Sequence, residues 1–162
     1  MLLPFGPRAQ LTGVPGLRIL PLTDLPAAFA DLAADAEADG VKILSVLAED
    51  WAAQRMRFAA PGEGLFGAFG PDGMAGICGL TADPYLRDPL VGRLRRLYVL
   101  RAARRAGVGR ALVDAVAGAA RASGRARLRV RSPASAYLFY TRCGFVRAIG
   151  EPAATHVLPL AA

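Results

Sequence analysis

The chain has 162 residues, 54% of them hydrophobic and 20% charged, which fits one folded domain and excludes disorder over most of its length. Its two cysteines, Cys78 and Cys143, form no CxxC or Cys/His cluster, so neither a disulfide framework nor a metal site is expected. The formal net charge of +7 is divided: Arg87 through Arg147 hold 15 Arg, no Lys and two acids, while the rest carries four Arg and Lys42 against 11 acids. A basic half of this kind points to a polyanionic ligand.

No uncharged apolar run approaches the roughly 18 residues of a membrane span, and Met1 to Gln10 lack the order of a signal peptide. A reducing cytoplasm is the expected setting. In chain order, residues 1–16 are rich in Pro and Gly and read as a flexible arm ahead of a single domain over 17–162. Leu17–Leu22 reads as a strand. Thr23 is a candidate cap for a helix with Leu25, Phe29, Leu32 and Ala36 on one stripe, ending at Gly40. A second helix runs from about Lys42 to Arg57. Leu65–Phe69 and Met74–Thr81 read as strands joined by the hairpin signal Gly70-Pro-Asp-Gly73, and Ala82–Gly92 as an irregular loop.

Arg93–Leu100 reads as a strand, followed by an Arg/Gly-rich turn and a helix with Val108, Leu112, Val116 and Ala120 at i, i+4 spacing. Arg127–Arg131 is the next strand. Ser132-Pro133 is a helix start, and Phe145–Ile149 and Thr155–Leu160 are closing strands. Strand–helix–strand alternation in the second half requires parallel neighbours, giving an α/β chain with a mixed sheet.

The turn Arg104-Arg105-Ala106-Gly107-Val108-Gly109-Arg110 is the sharpest feature. A helix N-terminus presents amides without intrahelical partners, and its dipole favours an anion. Glycines let a phosphate approach the backbone, and arginines add charge-assisted hydrogen bonds. Gly109 is followed by Arg110-Ala111 rather than Lys-Ser/Thr, so it is not a Walker loop. Leu112 stands where a dinucleotide fingerprint needs its third Gly. A plain strand-to-helix turn with solvated arginines is the alternative.

Arg104-x-x-Gly107-x-Gly109 resembles the Arg/Gln-x-x-Gly-x-Gly/Ala signature of the GNAT N-acetyltransferase superfamily. Ala136-x-x-Phe139-Tyr140-x-x-Cys143-Gly144-Phe145 resembles that family's second signature. The strong likeness covers residues 93–146. It implies a GNAT-like splayed mixed sheet of about six or seven strands flanked by about four helices. It also implies acetyl-CoA as co-substrate, an amine acceptor that is a small molecule or peptide, and no metal; homodimers are common in the family.

On this resemblance, amides and side chains of Arg104, Arg105, Ala106, Gly107, Val108, Gly109 and Arg110 hold the CoA pyrophosphate. The pantetheine arm pairs with the backbone of Leu97, Tyr98 and Val99. The Val99 N–H meets the thioester oxygen, and Tyr140 is the general acid, with Tyr137 and Tyr98 as packing residues. Pro133 stands where family members often carry an Asn that contacts pantetheine. Base candidates are Glu49, Asp50, Asp83 and Asp88, with Asp83 preferred, and His156 is a lone imidazole in an apolar strand.

Arg127, Arg129 and Arg131 alternate along one strand and Arg93 and Arg95 along its neighbour. Either they pair with the acidic half, or some of them, Arg129 and Arg131 foremost, bind an acceptor carrying a carboxylate or phosphate. Two other functions compete. One is a non-catalytic acyl-CoA sensor of the same fold. The other, prompted by an isoelectric point near 10.4, is a nucleic-acid-binding module. The arginines are not interleaved with exposed aromatics and no reading motif appears, so no nucleic acid is expected as partner.

Overall fold

The computed structural model describes residues 13–160. Residues 1–12 of the expected arm lie outside them; at its end the Gly13 N–H donates to the Ala106 carbonyl at 2.7 Å. The elements are β1 (Arg18–Pro21), α1 (Phe29–Ala38), α2 (Ile43–Ala52), β2 (Gly64–Gly70), β3 (Gly73–Ala82), β4 (Val91–Val99), α3 (Val108–Ala122), β5 (Arg127–Val130), α4 (Tyr137–Arg142), β6 (Val146–Arg147) and β7 (His156–Pro159).

The order of elements held, but several local signals did not: α2 stops at Ala52 rather than near Arg57, with Gln54 in the left-handed region at φ 57°, and the strand expected over Phe145–Ile149 is only Val146–Arg147. α1 starts at Phe29, and Thr23 does not cap it. Asp24 explains this: its Oδ1 accepts from the Leu25 N–H at 2.8 Å and from Trp51 Nε1 at 3.1 Å, which holds the preceding segment as a turn. Ser132 likewise does not cap; its hydroxyl donates to the Pro133 carbonyl, and a 3₁₀ turn at Ala134–Ala136 precedes α4.

Seven strands form one sheet in the order β1-β2-β3-β4-β5-β7-β6. Every neighbouring pair is antiparallel except β4 with β5, whose parallel pairing requires the crossover through α3. Helices cover both faces. α1 and α2 bury Leu32, Leu44 and Leu47 against Leu65, Ile77 and Tyr98. α3 and α4 bury Leu112, Val116 and Tyr140 against Leu80, Leu94 and Leu128. Each leucine so buried contributes about 1.5–3 kcal/mol. This is the mixed, helix-flanked sheet expected of the fold.

Two irregularities in β4 position the site. The register against β3 passes from Gly79↔Arg95 to Ile77↔Tyr98, so β4 carries one extra residue there, and Arg96 takes φ of 59°. A bulge of this kind flips side-chain parity. Leu94 packs with α3, and so do Leu97 and Val99, an odd number of residues away. The second irregularity is the splay. β5 pairs with β4 only through Val91↔Arg127, Gly92↔Leu128 and Arg93↔Arg129. Beyond Arg93 the edge of β4 is open.

Candidate active site

The α3 N-terminus is shaped by Gly107, in the left-handed region at φ 84°. The first helical bond runs from the Ala111 N–H to the Gly107 carbonyl at 3.0 Å, so the amides of Val108, Gly109 and Arg110 precede the ladder. Gly109 is needed for a different reason. A Cβ there would lie 3.1 Å from Phe139 Cε2 and 3.5 Å from Val99 Cγ2. The turn is thus wedged between the open strand β4 and helix α4.

A cleft of about 640 Å³ opens at this junction. Leu97, Tyr98 and Val99 line it with Arg104, Arg105 and Gly107 through Arg110; Ala106 does not, its carbonyl being turned to Gly13. The Leu100 N–H donates to Ala75 across β3 at 2.8 Å. Strand alternation therefore turns the amide groups of Val99 and, past one further residue, Leu97 into the splay. These groups fit a pantetheine arm and a pyrophosphate: an open strand edge, free helix amides, and a turn whose floor a single Cβ would fill.

Arg104 is not a free phosphate ligand. Its Nη2 donates to Asp39 Oδ2 at 2.7 Å and its Nε to the Val99 carbonyl at 3.1 Å, and the Asp39 bond raises its pKa. Arg105 and Arg110 are exposed at the cleft and form no ion pair among the described residues. Arg142 and Cys143 join the site although no cofactor-binding pattern in the sequence marks them. They share a face of the α4 segment with Phe139, at i+3 and i+4, and line the same cleft. Burial pushes the Cys143 thiol up to about 11.

A second cleft of about 490 Å³ lies on the other side of Leu97, Ala136 and Phe139, which border both. Tyr140 lines it. Its ring is packed edge-on against Phe139 and Phe145, at centroid distances of 5.0 and 5.3 Å, and burial raises its pKa strongly. The hydroxyl therefore stays protonated across the physiological range, as a hydrogen-bond donor must. Tyr98, by contrast, donates to Asp35 Oδ2 at 2.6 Å; burial and that carboxylate push it up to about 12. It is a packing residue whose oxygen is already engaged.

Of the base candidates, Asp83 is fully buried, its Oδ2 shared by Arg93 at 3.4 Å and Arg129 at 3.2 Å, and its Oδ1 accepting from the Tyr85 N–H. It lines neither cleft. It is a structural anion and is not placed to take an acceptor's proton. Asp50 pairs with Arg55 and Arg96, Asp88 caps the Leu90 amide, and Glu49 is exposed. His156 is buried behind Tyr137, its Nδ1 2.9 Å from Thr155 Oγ1. Burial and the Arg147 charge lower its pKa. No carboxylate or imidazole lines the second cleft among the described residues.

The strand arginines divide sharply. Arg129 is fully buried, donating to Asp83 and to the Pro152 carbonyl and ion-paired with Glu151, and cannot meet an acceptor. Arg93 donates to Asp83 and to the Ala153 carbonyl at 2.8 Å, with Tyr85 stacked 4.7 Å from its guanidinium. Arg127 pairs with Glu151 at 2.9 Å. Arg131 does line the second cleft, as does Arg95, whose pKa is lowered by burial and by the Arg96 charge. Among the described residues no group of His, Cys, Asp and Glu could hold a metal ion, and no helix is long and apolar enough to cross a membrane.

Comparison with known proteins agrees with this geometry. No curated protein sequence matches the chain. Solved structures do. One from Exiguobacterium sp. 255-15, assigned as an acetyltransferase, is 24% identical, with TM-score 0.77 over 88% of this chain and 93% of that one. A GNAT-family acetyltransferase from Staphylococcus aureus MU50 is 16% identical, with TM-score 0.67 over 89% and 100%. The Escherichia coli GNAT family N-acetyltransferase YhbS, solved in complex with CoA, is 19% identical, with TM-score 0.64 over 91% and 84%. These likenesses show the fold. The model of the acetyltransferase (GNAT) domain matches residues 61–147, more than half of the sequence, and spans the β4 edge, the α3 turn and Tyr140. The chain belongs to the GNAT acetyltransferase family.

Proposed function

We propose that this protein transfers an acetyl group from acetyl-CoA to a primary amine by direct attack in a ternary complex. One observation carries the reading: two clefts meet at Leu97 and Phe139, one floored by the α3 amides and the other lined by Tyr140. The amides of Val108 to Arg110 and the side chains of Arg105 and Arg110 would hold the pyrophosphate, and the Leu97 and Val99 backbone the pantetheine. Acetyl-CoA supplies an activated acetyl thioester.

The chain's own groups manage the charge. The Val99 N–H donates to the acetyl oxygen as negative charge grows on it. The Tyr140 hydroxyl donates to the departing sulfur, as a hydrogen bond or with its proton, while the new N–C bond replaces the C–S bond. With no carboxylate or imidazole lining the acceptor cleft among the described residues, a Lys-like amine must arrive neutral, as about one molecule in a few thousand at pH 7, or lose its proton to water. Free Cys78 and Cys143 suit a reducing compartment, and we place the activity in the cytoplasm.

Thermal unfolding with acetyl-CoA tests the first half: at 100 times Kd the ligand should stabilise by about 2.7 kcal/mol. Release of CoA thiol with a panel of amines tests the second and separates a transferase from an acyl-CoA sensor. No shift in Tm would overturn both readings.

A further inference from the structure

Five arginines line the acceptor cleft, and no acid does among the described residues. Three of the five are neutralised within the fold: Arg93 by Asp83, Arg96 by Asp50 at 3.6 Å, and Arg104 by Asp39. Arg95 and Arg131 make no hydrogen bond or ion pair among the described residues, and Arg95 is half-buried. Arg93↔Arg129 is the last parallel pair before the splay; Arg95 stands two residues further along β4, and Arg131 two residues further along the chain, just past the end of β5 at Val130. The two charges therefore flank the mouth of the splay from opposite walls.

Arg95, half-buried, and Arg131, exposed, both open into the cleft with their charges unspent among the described residues, so they are available for charge-assisted hydrogen bonds to a ligand oxyanion. We infer that Arg95 and Arg131 form an oxyanion clamp that selects an acceptor carrying a carboxylate or phosphate remote from its amine. This rests on the transferase reading above and names the substrate class of the same site. The separation follows from the strand. Arg95 lies three pleat steps, about 10 Å, before Val99 once the bulge is allowed for. The arginine side chain takes up part of that length, so amine and oxyanion are several bonds apart rather than on one carbon. The apolar wall of Val41, Ile43 and Leu94 suits the intervening chain. A polyamine is disfavoured by the same charges.

The test is calorimetric binding to the CoA-saturated protein of N-acetylglycine, 4-acetamidobutyrate and 6-acetamidohexanoate, each beside its uncharged amide and its phosphonate counterpart. One of the two longer carboxylates or phosphonates should bind about tenfold tighter than its amide, the scale of one charge-assisted hydrogen bond, and N-acetylglycine should show no such gain. The better of the carboxylate and phosphonate arms identifies the oxyanion. R95Q and R131Q should each remove most of the preference while keeping the Tm shift with acetyl-CoA that reports an intact fold. Equal binding of acid and amide throughout, or a preference that survives both substitutions, overturns the clamp. CoA release with the free amines is followed in parallel. Selective binding without transfer overturns the transferase reading alone; transfer without selectivity overturns the clamp alone.

Discussion

Arg93 and Arg129 face each other as the last pair of the parallel β4–β5 ladder, and both guanidiniums share one oxygen of Asp83. Two like charges side by side in a sheet would repel. The single buried carboxylate between them, with the Ala153 and Pro152 carbonyls behind, makes the arrangement stable. The splay begins immediately beyond this pair, so Asp83 holds the hinge from which the two clefts open.

Asp83→Asn should therefore destabilise the protein by about 3–5 kcal/mol, the cost of leaving buried charges uncompensated. Denaturant unfolding checks this. A general base would behave differently: activity would collapse with stability untouched, and that outcome would contradict the structural role.

Tyr140→Phe should lower kcat by about 10²–10⁴-fold with little change in the acetyl-CoA Kd, since the ring packs as before and only the donor is lost. Burial keeps the hydroxyl protonated well above the ordinary tyrosine range. The wild-type rate should then rise with pH in step with the neutral fraction of the amine and show no alkaline decline near pH 10. A fall there that Tyr140→Phe abolishes would show the hydroxyl titrating normally.

Arg105→Ala and Arg110→Ala should each weaken acetyl-CoA binding by about tenfold and flatten its salt dependence, as loss of a charge-assisted contact requires. Arg104→Ala should barely alter that salt dependence, because its charge is already spent on Asp39. Its exposed ion pair contributes about 0–1 kcal/mol to stability. Calorimetry at two salt concentrations distinguishes the three.

His156 sets an acid limit. Its pKa is lower in the folded chain than in the unfolded one, so below about pH 6.5 the unfolded state binds the extra proton and stability falls as pH falls. His156→Gln should remove this slope below about pH 6.5. Denaturant midpoints across that range measure it; an unchanged slope would assign the acid sensitivity elsewhere.

Much of the fold was legible in the chain. Gly70-Pro-Asp-Gly73 marks the β2–β3 turn, and the Val108, Leu112, Val116, Ala120 stripe is the buried face of α3. Gly107 and Gly109 foretell the turn because their conformational and steric demands are local. The acceptor side was less legible. Simple alternation along β4 misses the bulge at Arg96, which flips parity and puts Leu97 and Val99, rather than Tyr98, on the α3 face. Arg142 and Cys143 joined the cleft only because α4 lies across the splay.

By itself the sequence determined the order of elements, the anion-ready helix start and the excess of arginine, since each depends on residues a few positions apart. Only the tertiary structure decided which arginines are spent. Arg129 and Asp83 meet across 46 residues and Arg104 and Asp39 across 65. A guanidinium's availability is set by the nearest carboxylate in space, and that neighbour is chosen by the fold. The charge that first suggested any polyanion has resolved into buried pairs, the proposed phosphate contacts of Arg105 and Arg110, and Arg95 and Arg131, which have no ion-pair partner among the described residues.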